Sequence, residues 1–571
     1  MRPLLLLTAS LAAAAGAAAG CSSSSDATTL RLPGIATGPC DSTLKALFGR
    51  VPLRFVADGP ITSLRVTVGS AEPMVVDKAP YQVELDTTKL PDGTVKVVAR
   101  ADDATLDLDI CIDNHGPELT VLSPAENAAV GIEDNALRVR VRAVDPSGVE
   151  SIRAVLGVPG ARQQRDCQPK TGPDATCVMD PGALGLAFAD AGSATISLRV
   201  VARDAHGRES ADERQLKVGT RLLWRYQAGA AISWAVAPLP GGNVAVGSDA
   251  GNVDVIDANG QRICRWSSTP VNGQPDGVAS RLSASADGSR LYFTTTTRLC
   301  AVNAATCAQV WCLGGGLYFG SQPALDEARS LLFVGRYGET GSEGTLRAHA
   351  LADGQQRGTI PVTDVSNGAV TSSPTLSPDG NTVYIGSSNF DLYAIDVSNP
   401  AAMSARWRAR TGDKLETKAL VVGTRVYISG RDSRLHAFDA ATGAPVAAFS
   451  FQAKAPFLSS VIASSSGTLY VGSLDEKLYA LSAEGKVLAE FENGRMLNTT
   501  PAIGPGDIIY AARTRPTRLQ ALDAQLQPLW SLTPSQREDD ELRASPVVHN
   551  NVVYIGATNG LLYALDAKPS P

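Results

Sequence analysis

The chain has 571 residues, of which 44% are hydrophobic and 19% carry a charge, and its net charge is −6. This composition supports packed domains and excludes a wholly disordered chain. The slight acidic excess excludes a basic nucleic-acid-binding surface spread over the whole sequence. Frequent Gly and Pro favour short strands joined by turns over long helices. The five histidines lie too far apart for a local His-x-x-x-His metal motif; they are His115, His206, His349, His436 and His549.

Residues 1–20 have the features of a signal peptide. A positive charge at Arg2 precedes an uncharged stretch rich in Leu and Ala, whereas a membrane span would need about 20 apolar residues and usually a charged stop. The stretch ends in Ala-Ala-Gly-Cys21, which resembles a bacterial lipobox. The resemblance implies cleavage before Cys21 and acylation of its thiol, which would anchor the protein to a membrane. The alternative is ordinary secretory cleavage, with Cys21 as a plain thiol.

Residues 21–39 begin with a run of serines and predict a flexible tether behind the lipid site. Position 22 is Ser rather than Asp, which resembles the outer-membrane signal of Gram-negative lipoproteins. We therefore expect a protein held at the outer membrane by its N-terminal lipid. The choice between the periplasmic face and the cell surface stays open.

The cysteines favour an exported protein with disulfides. Without Cys21, eight of the nine remain, and an even number in an exported chain indicates disulfide bonds. We predict that Cys40 pairs with Cys111 and Cys167 with Cys177, because each pair brackets one candidate domain or loop. Three pairings remain open for the other four, and a metal site is the less favoured alternative because no Cys-x-x-Cys occurs. These four are Cys264, Cys300, Cys307 and Cys312.

Two modules follow, at residues 40–114 and 115–219. Both contain short alternating strand signals and turns such as Pro91-Asp92-Gly93, where Pro presets φ and Gly supplies a positive φ. The run from residue 79 to residue 93 resembles bacterial immunoglobulin-like domains, and the strand that opens at Pro117 resembles the same class. The resemblance implies two β-sandwiches, which would act as a stalk for the rest of the chain.

Three acidic residues in these modules raise the question of a calcium site: Asp113, Asp145 and Asp204. Short acidic side chains commonly cap turns, and the clustered oxygen-ligand spacing of a calcium loop is absent. We therefore interpret them as turn caps and predict no metal site.

The C-terminal part of the sequence is a repeat. A Leu-x-Ala or Val-x-Val step recurs eight times at intervals of about 44 residues, which fits a propeller blade of four short strands. The last unit lacks a fourth strand, and the segment 222–226 has the missing sequence type. We therefore predict an all-β chain in which two immunoglobulin-like β-sandwiches precede an eight-bladed β-propeller at residues 220–571, closed by the strand at 222–226. The recurring step ends at Val255, Ala301, Ala348, Ala394, Ala437, Ala480, Ala521 and Ala564.

The repeats resemble a known family. Residues 301–311 resemble the Ala-x-Asp-x-x-Thr-Gly-x-x-x-Trp motif of pyrroloquinoline-quinone-type (PQQ-like) propeller repeats, and residues 437–443 match its first half. In the repeat that contains residues 437–443, Ala447 stands where Trp is expected. The family includes quinoprotein dehydrogenases and the propeller lipoprotein of the outer-membrane barrel-assembly machinery. The resemblance implies that the repeat tryptophans dock neighbouring blades: Trp224, Trp311, Trp407 and Trp530.

The resemblance implies a non-catalytic scaffold that binds envelope or outer-membrane proteins, with the membrane reached through the N-terminal lipid and with no nucleic acid as partner. We predict no catalytic residue, no cofactor and no metal. Adjacent cysteines, which the cofactor site of quinoprotein dehydrogenases carries, do not occur in this chain. A quinoprotein dehydrogenase is therefore a less favoured alternative. Surface adhesion or ligand binding is the runner-up function, and a sensor or carbohydrate binder is a third.

Two charged features of the propeller are harder to assign. The loop at residues 537–543 is interpreted as solvated, with partner docking as the alternative. Lys418 and Arg543 precede inner strands and are candidates for the wall of the central channel. The direction of their side chains cannot be read from the sequence.

Overall fold

A computed structural model describes the chain from residue 28 to residue 567 with several gaps. The signal peptide, Cys21 and part of the predicted tether lie outside the described residues. Within them, no helix has the length and hydrophobicity that a bilayer crossing requires. The described ranges are 28–41, 43–133, 137–169, 173–186, 194–316, 318, 320–338, 343–363, 369–514, 517–533 and 540–567.

The first module is built from antiparallel strands. Alternate residues of its long strand, such as Val95 and Val97, are buried, while Lys96 between them is exposed, as expected for a sheet with one face in the core. The sheet β5-β4-β7-β8 packs with the pairs β2-β6 and β1-β3 around one core. The strands are β1 (Leu30–Arg31), β2 (Arg50–Arg54), β3 (Val56–Ala57), β4 (Leu64–Val68), β5 (Met74–Val76), β6 (Gln82–Asp86), β7 (Gly93–Ala101) and β8 (Ala104–Ile112).

The second module is a sandwich of a five-stranded sheet, β10-β16-β15-β12-β13, and a three-stranded sheet, β14-β11-β9. One apolar core holds side chains from both sheets, including Val139 and Leu198. Among the described residues of this module, only β10 and β16 pair in parallel. The strands are β9 (Glu118–Ser123), β10 (Ala129–Gly131), β11 (Leu137–Val144), β12 (Val149–Val158), β13 (Ala161–Asp166), β14 (Asp174–Met179), β15 (Thr195–Asp204) and β16 (Glu209–Gly219).

Eight four-stranded antiparallel sheets follow among the described residues, in the part of the chain that the sequence predicts to be a propeller. Sheet 1 contains β18 (Ala237–Pro238), β19 (Val244–Gly247), β20 (Asn252–Ile256) and β21 (Arg262–Ser267), and sheet 2 contains β22 (Ser283–Ala284), β23 (Arg290–Thr294), β24 (Leu299–Asn303) and β25 (Gln309–Leu313). Sheet 3 contains β26 (Ala324–Asp326), β27 (Leu331–Arg336), β28 (Thr345–Ala350) and β29 (Gln356–Pro361), and sheet 4 contains β30 (Thr375–Leu376), β31 (Thr382–Gly386), β32 (Asp391–Asp396) and β33 (Ser404–Arg410).

Sheets 5 to 8 continue the pattern, with the first strand of the region completing the last sheet. Sheet 5 contains β34 (Leu420–Val422), β35 (Arg425–Ser429), β36 (Arg434–Asp439) and β37 (Phe451–Gln452), and sheet 6 contains β38 (Ile462–Ala463), β39 (Leu469–Gly472), β40 (Lys477–Leu481) and β41 (Val487–Glu492). Sheet 7 contains β42 (Ala502–Ile503), β43 (Ile509–Arg513), β44 (Arg518–Leu522) and β45 (Pro528–Leu532), and sheet 8 contains β46 (Val547–His549), β47 (Val552–Gly556), β48 (Leu561–Asp566) and β17 (Leu222–Gln227).

The pairing of β17 with β48 joins the two ends of the propeller. Trp224 lies opposite Ala564, and Tyr226 lies opposite Leu562. This is the strand that the sequence predicts for the last sheet. The first and last sheets are thereby tied through backbone hydrogen bonds, and the ring has no open edge at this point.

The middle strands of the sheets are buried on both faces. In β31, for example, every residue from Thr382 to Gly386 is buried, because a neighbouring sheet covers each side. The fourth strands alternate instead and face solvent on one side, as in β41. Short 3₁₀ helices lie in connections: Thr87–Lys89, Pro181–Leu184, Pro240–Gly242, Pro400–Ala402 and Pro505–Asp507.

The second module contacts the propeller through Glu133. Its carbonyl accepts a hydrogen bond from the Ser531 backbone N–H at 2.9 Å. Its carboxylate accepts hydrogen bonds from the Thr220 hydroxyl and from the Arg221 backbone N–H. This one residue therefore bonds both to the segment that enters the propeller and to the last strand of sheet 7.

Candidate binding site in the central cavity

A cavity of about 540 Å³ lies where the first strands of the sheets converge. Each sheet places one equivalent residue on its wall, two positions before the first residue of its first strand. We call these the ring residues. They are Ala235, Arg281, Gln322, Ser373, Lys418, Ser460, Thr500 and Ser545.

The ring hydroxyls link consecutive sheets. The backbone N–H of Lys418 donates to Ser460 Oγ at 3.0 Å, that of Ser460 to Thr500 Oγ1 at 3.1 Å, and that of Thr500 to Ser545 Oγ at 3.0 Å. The backbone N–H of Gln322 makes the same bond to Ser373 Oγ, also at 3.1 Å. These hydroxyls satisfy backbone donors that no strand pairing serves, so they have a structural role.

In six sheets the residue before the ring position is a serine or threonine whose hydroxyl bonds to the second strand of the same sheet. Ser321 Oγ accepts the backbone N–H of Gly335 at 2.8 Å, and Ser280 Oγ accepts that of Thr294 at 3.0 Å. In sheet 5 the direction reverses, and the Thr417 hydroxyl donates to the Ser429 carbonyl at 2.7 Å. These buried hydroxyls hold the first strand against the second and thereby fix the orientation of the ring residue that follows.

Two ring residues bring positive charge into the cavity. The Arg281 guanidinium reaches Ser545 Oγ, two sheets away. Burial lowers the pKa of Arg281 to about 10, so it stays charged at neutral pH. The Lys418 side chain is open to the cavity, but protein atoms surround its ammonium group. This desolvation lowers the pKa of Lys418, and the positive charge of Arg281 lowers it further. Both residues also line a neighbouring cavity of about 820 Å³, so they lie where the two cavities meet.

Acidic groups near the cavity already have cationic partners. Glu416 is the only acid among the described residues of the first cavity wall, and its carboxylate accepts a hydrogen bond from Arg431 Nε at 2.6 Å. Arg543, on the same wall, pairs with Glu541. Arg281 and Lys418 therefore leave the cavity with a positive potential, which attracts anionic groups.

The structure places both predicted channel residues, Lys418 and Arg543, on the cavity wall. Sequence reasoning missed Arg281, which occupies the ring position of sheet 2. Alignment of the repeats would have found it, because Ser280-Arg281 and Thr417-Lys418 stand at the same step before their first strands. A repeat position that is uncharged in six sheets but cationic in two is the signal.

The charged loop at residues 537–543 differs from the sequence interpretation. Residues 537–539 lie outside the described residues, but Asp540, Glu541 and Leu542 are buried rather than solvated. The Asp540 carboxylate accepts a hydrogen bond from Asn559 Nδ2 at 3.0 Å. The backbone N–H of Glu541 donates to Thr558 Oγ1 at 2.8 Å. The loop is buried because its second half packs against the hairpin of sheet 8.

The predicted docking tryptophans lie at contacts between sheets. Trp224 Nε1 donates to the Ala258 carbonyl, Trp311 Nε1 to Leu351 and Trp407 Nε1 to Ala440, at 2.8 to 3.1 Å. Trp530 is fully buried between sheets 7 and 8 and lies under the Arg221 guanidinium. Three of the rings cover a glycine of the next sheet where a Cβ atom would clash, at Gly260, Gly354 and Gly443.

Sheet 5 shows how the repeat replaces a missing tryptophan. Ala447 stands at the motif position, but Phe449, two residues later, packs against Tyr427 with ring centroids 5.6 Å apart. A Cβ atom on Gly485 of the next sheet would meet the Phe449 ring at 3.1 Å. Two extra residues in the connection therefore bring a different aromatic ring to the equivalent contact.

The cysteines pair as four disulfides in the described residues. Cys40 is bonded to Cys111 and Cys167 to Cys177, the two pairs that the sequence predicts. Of the pairings left open, the structure has Cys264 with Cys307 and Cys300 with Cys312. The first of these joins sheet 1 to sheet 2, and the second closes the hairpin β24-β25. The predicted lipidation site, Cys21, lies outside the described residues.

Comparison with known proteins matches the propeller and not the modules before it. The model of the PQQ_2 family, described as outer membrane protein assembly factor BamB, matches residues 216–448 and 431–569. No curated protein matches the sequence at a significant level.

Two solved structures are similar over 61% of this chain. They are the crystal structure of BamB from Moraxella catarrhalis, with 18% identity, a TM-score of 0.48 and 98% of that chain covered, and the crystal structure of the computationally designed Ika8 protein, with 15% identity, a TM-score of 0.49 and 99% covered. The predicted PQQ-like propeller is confirmed by the family match, which spans more than half of the sequence. This chain belongs to the PQQ_2 family, described as outer membrane protein assembly factor BamB.

Proposed function

We propose that this protein is a lipid-anchored envelope protein whose propeller is a non-catalytic scaffold for other proteins in outer-membrane protein assembly. The observation that carries the proposal is the match of the BamB family model to residues 216–448 and 431–569. Propellers expose loops at both ends of the ring, and function on such folds is carried by those loops. The partners are envelope or outer-membrane proteins.

The proposal includes a finer architecture. The eight four-stranded sheets act as eight blades of one ring, closed by the pairing of β17 with β48. The two N-terminal modules are immunoglobulin-like, which is supported by the turn motifs of their sequence and by the two-sheet core of the second module. They form a stalk between the lipid and the propeller.

The lipid anchor rests on the N-terminal sequence. The Ala-Ala-Gly-Cys21 motif after an apolar stretch supports acylation of Cys21, and Ser22 supports an outer-membrane address. With the lipid at Cys21, the tether and two modules would hold the propeller away from the bilayer surface. A long reach of this kind suits a scaffold that binds proteins embedded in, or passing toward, the membrane.

The cavity wall supports a binding role over a catalytic one. A quinoprotein centre needs a calcium ion held by oxygen ligands and an acidic base beside the cofactor. The described wall of the central cavity instead carries two uncompensated cations, Arg281 and Lys418, and its single carboxylate is engaged by Arg431. This donor set does not fit calcium, which binds six to eight oxygens.

The test is mild crosslinking and pulldown from detergent-solubilised outer membranes, with Cys21→Ala as the control. The proposal expects capture of a barrel-assembly protein by the native chain and its loss in the Cys21→Ala variant, which would not reach the outer membrane. Capture of that partner by a variant lacking residues 40–219 would assign the contact to the propeller. Capture of no envelope protein would contradict the scaffold function.

A second candidate function is surface adhesion or ligand binding. It is favoured by the two modules between the lipid site and the propeller, because residues 40–215 lie outside the match of the family model. Protease treatment of intact cells distinguishes the candidates. Digestion of the propeller on intact cells would place it at the cell surface and favour adhesion, and protection would favour the assembly scaffold.

A further inference from the structure

The junction of the two N-terminal modules gathers three acidic residues that are far apart in sequence. Asp113 follows β8, Asp145 lies between β11 and β12, and Asp204 ends β15. Asp113 is 1% exposed and Asp204 is fully buried. The turn that begins at Asp145 lies beside Asp204, because its Gly148 carbonyl accepts a hydrogen bond from the Ala205 backbone N–H at 3.1 Å. The interpretation of separate turn caps therefore misses that folding brings the three together.

His206 completes a set of ligand atoms. One donor atom each from Asp113, Asp204 and His206 lies within 4.8 Å of the other two. His206 Nδ1 is 2.8 Å from Asp113 Oδ2. These three residues come from both modules, so any ion that they bind would join the modules directly.

Asp204 holds one buried oxygen without a hydrogen-bond partner in the described part of the chain. Its Oδ1 accepts the backbone N–H groups of His206 at 2.7 Å and Arg208 at 2.9 Å, which orient the carboxylate. Its Oδ2 is buried and has no such bond. A buried carboxylate oxygen without a donor is costly, so it calls for a cation at this place.

Both ring nitrogens of His206 have partners in the first module. The Ala46 backbone N–H donates to His206 Nε2 at 3.1 Å, and Nε2 also lies 2.8 Å from the Leu44 carbonyl. If Nδ1 carries the imidazole proton, Nδ1–H donates to Asp113 Oδ2 and Nε2 accepts from Ala46. If Nε2 carries the proton, Nε2–H donates to the Leu44 carbonyl and the Nδ1 lone pair faces Asp113 Oδ2, which is the arrangement that binds a cation. Two lone pairs 2.8 Å apart require a positive charge between or beside them, either a proton or a metal ion. In metal-bound histidines, the ring nitrogen that does not bind the metal commonly donates its N–H to a carbonyl or a carboxylate.

We propose that Asp113, Asp204 and His206 bind a divalent cation of the zinc class at the junction of the two modules. One imidazole nitrogen and two carboxylate oxygens match the donors that zinc prefers, with water in a fourth position. Calcium takes six to eight oxygen ligands and does not favour the imidazole. Arg208 pairs with Asp113 Oδ1, which leaves Oδ2 for the ion and lowers the net negative charge of the site.

The consequence goes beyond the proposed scaffold function. Asp113 and the Leu44 carbonyl belong to the first module, whereas Asp204 and His206 belong to the second. A bound cation would replace the single contact between Asp113 and His206 by bonds to three side chains. The cation would therefore stiffen the junction of the two modules.

The experiment titrates the chelator-treated full chain with zinc chloride and, separately, with calcium chloride in a calorimeter. We expect one zinc ion per chain. We expect His206→Gln and Asp204→Asn each to weaken zinc binding at least about tenfold. The matched control is His115→Gln, because His115 Nδ1 also lies 2.8 Å from an aspartate, Asp92, but the imidazole is exposed and has no second carboxylate in its set.

Several results would overturn the proposal. They are the absence of stoichiometric zinc binding, zinc binding that survives both His206→Gln and Asp204→Asn, and zinc binding that His115→Gln abolishes. Calcium binding that is lost in Asp204→Asn but kept in His206→Gln would exclude the imidazole as a ligand. If Asp204→Asn fails to fold by circular dichroism, His206→Gln alone decides. The His206 side chain accepts one backbone hydrogen bond among the described residues, from Ala46 at 3.1 Å, so its substitution removes little of the hydrogen bonding of the fold.

Discussion

The sheets of the propeller and the two N-terminal modules are joined by different chemistry. Neighbouring sheets meet through repeated apolar contacts, such as the Trp407 ring over Gly443 of the next sheet. The modules meet at one cluster of buried charge, where Asp113 contacts both His206 and Arg208. Repetition spreads the stability of the propeller over many equivalent contacts, whereas the geometry of the module junction depends on a few directional bonds.

The two kinds of contact tolerate change differently. An apolar contact depends mainly on buried area and shape, so Phe449 can replace a tryptophan from a position two residues later. A buried ion pair depends on charge and geometry, because removal of one partner leaves the other uncompensated. The comparison therefore predicts graded losses in the propeller and specific losses at the junction.

The largest effect is expected for Trp530→Ala. Trp530 is fully buried between sheets 7 and 8 and packs against Tyr510 with ring centroids 5.7 Å apart. Removal of a buried tryptophan costs about 3–5 kcal/mol, because it loses buried area and leaves a cavity. Calorimetric unfolding of the propeller measures the loss. Trp530→Phe keeps an aromatic ring and should therefore lose less unfolding free energy. Equal losses in the two variants would contradict the view that buried apolar area stabilises this contact.

The second effect concerns the junction and uses Asp113→Asn. The substitution removes the charge that His206 and Arg208 share, so we expect the N-terminal modules to lose roughly 2 kcal/mol of unfolding free energy, below the value for fully buried pairs because both partners are partly exposed. Asp107→Asn is the control, since its pair with Lys96 is exposed on both sides. The control should change stability far less than Asp113→Asn, because solvent screens an exposed pair. Similar losses in both variants would remove the distinction between buried and exposed charge.

The third effect compares two disulfides inside the propeller. Cys264–Cys307 links sheets 1 and 2 across a sequence separation of 43, whereas Cys300–Cys312 closes a hairpin with a separation of 12. Loop-closure entropy predicts that replacing both cysteines of the first pair by serine costs about 1 kcal/mol more than the same change in the second. Denaturant unfolding of the two double variants measures the difference. A larger loss from the hairpin pair would show that loop entropy does not set the order.

The smallest effect is a pH dependence within the propeller. His349 is buried in sheet 3, and this burial lowers its pKa. The hydrogen bond to the Gly354 carbonyl raises the pKa in part, and the charge of Arg347 lowers it further. The unfolded chain therefore binds a proton on this histidine more readily than the folded chain. Stability falls as the pH drops through the unfolded value of about 6.5 and levels off below the folded pKa. His349→Gln should lessen the loss of melting temperature between pH 7.5 and pH 5.5, and an unchanged loss would contradict this assignment.

Prediction from sequence worked best where the chain repeats itself. The spacing of the Leu-x-Ala steps predicted the strand pattern of the propeller, and the missing final strand predicted the pairing of β17 with β48. Bracketing predicted two disulfides but left the pairing of Cys264, Cys300, Cys307 and Cys312 open, because these four lie in adjacent sheets whose relative placement is tertiary. The cavity was harder to predict, since Lys418 was recognised but Arg281 was not.

By itself, the sequence determined the all-β class, the repeat and the strand that completes the last sheet, because alternation, turn residues and spacing are local properties. Only the tertiary structure decided which side chains meet across long separations. It placed Arg281 beside Ser545 in the cavity, buried the loop at Asp540 to Leu542, and brought Asp113 to Asp204 and His206. Such contacts join residues that no local pattern relates, and their energies depend on burial and distance, which exist only once the chain has folded.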